Sequence, residues 1–267
     1  MLDEIGNWTE IKLEIIKDYA SAYSKLLKAY NLHYLYIDGF AGAGEHISKS
    51  TGRIVKGSPL IVLDIEPPFE EYHFVDIDST KMDGLKEIVA DHPGVYLHMG
   101  DCNTILPKNI FPTIRYKDFR RAFCLLDPYG LHIDWNVIQS AGKIGTIDLL
   151  LNFPIMDINR NVLRPNPEDI SMENMTRMNR FWGDDSWMGI AYERTSNLLG
   201  WLMKVTNASK VITDAFQKRL NHVASFQYVS DRLPMRNSKR NIVYFLFFAS
   251  QNETAVKIMR DIFRKYN

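Results

Sequence analysis

The segment Asp38-Gly39-Phe40-Ala41-Gly42-Ala43-Gly44 places an acid and three glycines at the end of the apolar run Tyr34–Phe40. Glycines in such a turn remove the Cβ atoms that hold a ligand off the backbone, as close approach of a nucleotide requires. The spacing of Gly39, Gly42 and Gly44 does not fit GxGxxG, and Asp38 would repel a pyrophosphate set beside it. S-adenosylmethionine carries an ammonium and a sulfonium and no phosphate, so an acid at the loop mouth attracts it. The loop therefore favours that cofactor over a nicotinamide dinucleotide, with Asp38, Phe40, Ala41, Gly42 and Gly44 around it. A glycine turn that only packs a helix against a strand is the competing reading.

Three further acids close apolar runs. Asp76 can accept from two ribose hydroxyls, as such carboxylates do in nucleotide-binding α/β folds, and Ile77 can then cover an adenine face. Asp101, or the backbone N–H of Cys102, can meet the adenine edge. Asp127-Pro128-Tyr129-Gly130 is the expected reaction site. A carboxylate there accepts from an exocyclic amine, proline fixes the chain, and tyrosine offers a stacking plane. Catalysis would then be mainly positioning of the nitrogen lone pair. Strand-end acids also cap helices, and a β-turn favours proline second and glycine fourth, so each motif alone has a purely structural reading. Asn152-Phe153-Pro154 should face the same cleft and could hold the acceptor instead. Trp182 and Trp187, with Asp184 and Asp185, either stack on a base or pack in the core.

These residues need a scaffold that gathers them. Residues 8–30 carry apolar side chains at helical spacing. Strand-like runs follow at Tyr34–Phe40, Tyr72–Ile77, Val95–Met99, Ala122–Leu126 and Ile147–Asn152, separated by helical patterns at Ser58–Leu63, 79–91 and Trp135–Ala141. Such alternation demands right-handed crossovers and a parallel sheet, with the acids along one edge, where ligands bind. Residues 45–58 are too long for a minimal turn and imply something folded over the loop. Residues 153–187 are too long for a plain connection and read as a lid or substrate insertion. Val223–Val229 and Ile242–Ala249 form an expected antiparallel hairpin around a polar loop at 230–241, followed by a helix at 253–264. The expected whole is a single α/β domain over 1–267 with a mostly parallel sheet.

Composition bounds the function. Cys102 and Cys124 form no CxxC, and the seven histidines show no HxH or HExxH, so no bound metal is expected. No apolar run approaches the roughly 20 residues that span a bilayer, so no membrane partner is expected and the cytoplasm is the default location. The net charge is zero, yet residues 204–267 hold 12 basic against 4 acidic side chains. That asymmetry fits a surface facing nucleic acid, although solvated helix charge explains most such runs.

Through YIDGFAGAGEH, KGSPL, YHFVDID, LLDPYGL, LLLNFPIMDINRNVL and WGDDSW, the chain resembles the three-Cys-motif partner protein family of bacteria and archaea over nearly its whole length. That family is similar in turn to class I methyltransferases. The resemblance implies a Rossmann-like class I methyltransferase fold, S-adenosylmethionine at Asp38–Gly44, Asp76 and Asp101, and a separate partner carrying the cysteine motif and resembling a radical S-adenosylmethionine enzyme. It does not imply a substrate. Amino-methyltransferases usually carry Asp or Asn followed by Pro-Pro and an aromatic, whereas one proline separates Asp127 from Tyr129 here. The expected activity is methyl transfer to a nucleobase amine. The alternative is a non-catalytic accessory subunit of the cysteine-motif enzyme; a nicotinamide oxidoreductase is the weaker third reading.

Overall fold

The computed structural model describes residues 3–194 and 201–266. The chain opens with β1 (Asp3–Ile5), α1 (Asn7–Ala29) and β2 (His33–Asp38), then a small hairpin, β3 (Glu45–Ser48) and β4 (Ile54–Lys56), and α2 (Ser58–Leu63). Next come β5 (Glu71–Asp76), α3 (Ser79–Ile88), β6 (Val95–Met99), α4 (Cys102–Ile105), β7 (Arg120–Leu126), α5 (Trp135–Ile144) and β8 (Ile147–Phe153). The remainder holds α6 (Ile155–Asn161), α7 (Met172–Trp182), α8 (Trp187–Ala191), β9 (Tyr192–Arg194), β10 (Leu202–Lys204), α9 (Ala208–His222), β11 (Tyr228–Val229), β12 (Leu233–Arg236), β13 (Ile242–Ser250) and α10 (Glu253–Tyr266).

Eight strands form the central sheet in the order β6-β5-β2-β7-β8-β13, with β11 and β12 both paired to the outer edge of β13. The first five are parallel, β13 runs antiparallel to β8, and β11 and β12 run antiparallel to β13. This is a Rossmann-like sheet with a C-terminal antiparallel hairpin and an N-terminal helix, the class I methyltransferase fold. Alternate strand residues feed two cores. Leu35, Ile37, Cys124 and Leu151 pack with α5, α7 and α9, while Tyr36, Phe74, Phe123 and Leu150 pack with α1, α3 and α10. On the second face Tyr19 of α1 meets Phe123 and Phe248 edge-on at 4.8 and 4.7 Å, a favoured aromatic geometry.

Two expectations need correction near the C-terminus. Val223–Val229 is not one strand: α9 runs to His222 and the chain turns through Ser225 at φ +69°, leaving only Tyr228–Val229 on β13. The residues that looked strand-like, Ala224 and Phe226, are instead buried in that turn, with their N–H groups bonded to Arg219 and Leu220 carbonyls. The polar loop 230–241 contains β12, whose Pro234 is tolerated because it lies on an edge strand.

The long link after the glycine loop is the β3–β4 hairpin, which adds β1 in parallel to form a separate three-stranded sheet. Residues 153–187 fold as helices packed on the first core. Trp182 and Trp187 are fully buried, each with its indole N–H bonded internally, to Ser186 Oγ at 2.9 Å and Asn179 Oδ1 at 2.7 Å. Packing, not base stacking, is therefore the role of both rings in this structure. Among the described residues no helix is long and apolar enough to cross a membrane.

Candidate functional site

The parallel strands end on one rim, and the acids lie there with distinct jobs. Asp38 has no exposed surface. Its carboxylate accepts from Phe40 N at 3.0 Å and Ser58 Oγ at 2.6 Å, so it shapes the glycine loop and anchors α2. The expectation of an acid at the loop mouth is corrected accordingly: Asp38 lies beneath the loop and can act on a ligand only through its field. Burial pushes its pKa up to about 6, against the pull of Ser58 and Phe40.

Gly42 adopts φ +64°, and a Cβ placed on it would meet nothing within 4 Å. The backbone there faces open space and leaves room for a ligand that a side chain would displace. Gly42 N–H donates to Asp76 Oδ2 at 2.8 Å, while Asp78 N–H donates to Asp76 Oδ1 at 2.9 Å. Each Asp76 oxygen retains a lone pair, as a vicinal diol would need. Phe40 is half-buried, Gly44 is buried, and Ala41 is buried with its N–H bonded to Val75 O at 2.9 Å.

Ile77 and Met99 are 75% and 66% exposed, and Met99 is the register partner of Asp76. Two large apolar side chains beside a diol-sized acceptor suit a flat, weakly polar ring. Asp101 caps α4 by accepting from Asn103 N–H at 2.9 Å, so the structural reading of that acid is realised, with the residue still exposed at the rim. Burial pushes the Cys102 thiol up to about 12, which leaves it inert as a nucleophile; only its backbone can serve a ligand.

On the neighbouring strand Asp127 is already engaged. Lys12 of α1, its side chain 7% exposed, forms an ion pair with Oδ2, and Asn152 Nδ2 donates to Oδ1 at 2.8 Å. Asn152 is thus brought to Asp127, but Phe153 and Pro154, expected to face the same cleft, are buried instead, Phe153 with its ring against Phe181 and Phe216. Asn152 Oδ1 and His46 Nδ1 are buried without partners among the described residues. Burial and the charge of Lys12 hold the His46 imidazole below its ordinary pKa. Pro128 is buried, and Tyr129 projects into solvent at 87% exposure.

The turn that carries Tyr129 is fixed from below. Gly130 sits at φ +64° over Asp157, whose Oδ2 accepts from Leu131 N–H at 3.2 Å and from Arg177 Nη2 at 2.9 Å. Sequence reasoning missed this clamp and Lys12. The signal for Lys12 was a charge four residues before Ile16, on the helix face that also buries Tyr19 and Tyr23.

No family model matches the chain, and no curated protein matches it. Solved structures do. Protein LPL1258 from Legionella pneumophila, of the family DUF519, has a TM-score of 0.53 at 12% identity, covering 95% of this chain and 92% of that one. This likeness shows the fold. The methyltransferase domain of bacterial CtHen1 aligns with a TM-score of 0.44 at 11% identity over 88% of this chain and 99% of its own. Trm1 from Pyrococcus horikoshii, solved in complex with S-adenosyl-L-methionine, aligns at 0.46 and 11% identity over 94% of this chain and 58% of its own.

Proposed function

We propose that the protein is an S-adenosylmethionine-dependent methyltransferase acting on an amino group of a nucleobase. The observation that carries this reading is the open backbone at Gly42, which follows β2 and is bonded to Asp76, with the Asp127–Tyr129 turn following the adjacent strand β7 on the same rim. The donor set fits the cofactor. Asp76 would hold the ribose hydroxyls, Ile77 and Met99 would flank the adenine, Asp101 or the Cys102 N–H would meet its edge, and ionised Asp38 beneath the loop would favour the positive charges by its field. When bound, the cofactor supplies an electrophilic methyl group.

The acceptor side is built by the chain itself. Lys12 and Asn152 hold the Asp127 carboxylate in one orientation, and each oxygen keeps a lone pair that can accept from an amine N–H. Asp127 thereby aims the nitrogen lone pair and provides a station for the proton released as the nitrogen is alkylated. Tyr129 offers its ring to the base. The test is titration calorimetry with S-adenosylmethionine, followed by labelled-methyl incorporation over RNA and DNA. Cofactor binding without transfer to either would refute the substrate class.

A second reading draws on the same ion pair. Because Lys12 already neutralises Asp127, the chain can also be read as an accessory subunit of the three-Cys-motif enzyme that its sequence resemblance implies. Asp127→Ala separates the two. It abolishes turnover with cofactor binding intact if the chain is an enzyme, and leaves complex formation and the partner's activity unchanged if it is a subunit.

A further inference from the structure

The basic excess of residues 204–267 is not spread over one face. Arg219, Arg232, Lys257, Arg264 and Lys265 are spent in ion pairs with Asp184, Asp214, Glu253, Asp261 and Asp18. What remains at the reactive rim is the turn between β12 and β13. Phe245 pairs with Phe153, the last residue of β8, so Ile242 lies three residues beyond the carboxyl end of that strand, roughly 10 Å at 3.3 Å per residue. The turn therefore stands over the same rim as Asn152 and Asp127.

That turn reads Arg236-Asn237-Ser238-Lys239-Arg240-Asn241, with three cations and no acid. Arg236, Lys239 and Arg240 are exposed, and among the described residues none has a carboxylate within ion-pair distance. The backbone is pre-organised. Asn237 Oδ1 accepts from Lys239 N–H and Asn241 N–H, both at 3.0 Å, and Arg236 Nη1 donates to Arg240 O at 3.0 Å. Tyr244, two residues into β13, ties the turn to the start of α1 through Trp8 O at 3.3 Å. A pre-organised turn with three uncompensated cations, on the same rim as the protruding Tyr129 and two strands away from it, has the two parts that hold a single strand: charge for the backbone and a plane for a base.

We propose that the 236–241 turn is the phosphate-binding element of a single-stranded nucleic acid site whose base plane is Tyr129. This rests on the methyltransferase reading only in naming the strand as that enzyme's substrate. The rest of the C-terminal quarter is not part of the site. Lys218 and Arg260, for example, line a separate groove of about 620 Å³ between α9 and α10, beside Tyr228, which pairs with Ser250 at the opposite end of β13.

The experiment is fluorescence anisotropy with fluorescein-labelled single-stranded RNA and DNA of mixed sequence, across a salt series. Replacing Arg236, Lys239 and Arg240 by Gln should weaken binding at least tenfold and reduce the log–log salt slope by about 2, from about 0.7 per phosphate contact. Lys239→Glu alone, which keeps the backbone N–H bonded to Asn237 Oδ1 and changes only an exposed side chain, should lose several-fold. Lys218→Gln with Arg260→Gln should change nothing. The proposal is overturned if the full chain binds neither strand, if the groove variant loses as much as the turn variant, or if polyglutamate competes as well as RNA. Calorimetry with S-adenosylmethionine runs in parallel. Strand binding through the turn without cofactor binding would sink the methyltransferase reading and leave this site standing.

Discussion

Asp38→Asn isolates the cost and the use of a charge buried under the glycine loop. The native carboxyl rises from 3.8 to about 6, chiefly because burial disfavours its ionised form. At about 1.36 kcal/mol per pH unit, keeping it ionised costs the fold about 3 kcal/mol at neutral pH. The sign follows from the raised value. The folded state binds this proton more tightly than the unfolded chain, so the stabilisation is complete below pH 4 and is lost as pH rises through 6. Asn keeps an acceptor for Phe40 N–H and can donate to Ser58 Oγ, at a loss of about 1 kcal/mol for the weaker bond. Urea unfolding should thus show the variant about 2 kcal/mol more stable at pH 8 and no better at pH 4. Asp148 provides an internal control: it is buried against Tyr19 and Ser250 and also raised to about 6, so Asp148→Asn should remove a similar pH dependence. Only Asp38→Asn should also weaken S-adenosylmethionine binding at pH 8 and erase the loss of wild-type affinity between pH 8 and pH 5. A variant whose stability follows pH as the wild type does would refute the reasoning.

Other substitutions probe the surroundings. Lys12→Met should cost about 1–2 kcal/mol in chemical denaturation, less than a fully buried pair because Asp127 is 27% exposed, and Lys12→Arg should restore most of it. Arg177→Met should loosen the Tyr129 turn and raise the acceptor KM about tenfold in steady-state kinetics, with cofactor affinity unchanged. Trp182→Ala should cost about 3–5 kcal/mol in thermal or urea unfolding, as expected of a core ring, which a surface stacking residue would not.

The parts legible in the sequence were those encoded locally. A strand that runs into glycines, a hydrophobic stripe with period 3.6, and acids that close apolar runs each depend on neighbours in the chain, and they located β2, α1, α2 and the rim. The hidden parts depend on partners far away. Lys12 meets Asp127 across 115 residues, and Arg177 meets Asp157 across 20, with nothing in either local pattern to announce the pairing. Asp38 was recognised as important, but its burial beneath the loop is set by Ser58 and by the packing around Tyr36. At Val223–Val229 the alternation resembled a strand because two buried residues flank a turn, and β12 escaped notice because a short edge strand with proline carries little signal.

The central claim is that the backbone at Gly42 receives the cofactor. Isothermal titration of the wild type and Gly42→Val with S-adenosylmethionine tests it directly, since the added side chain fills the open space and its strain at positive φ costs only about 1–2 kcal/mol of stability. The wild type should give saturable one-site heat that the folded variant has lost. No saturable heat in the wild type, or equal affinity in both proteins, would contradict the account.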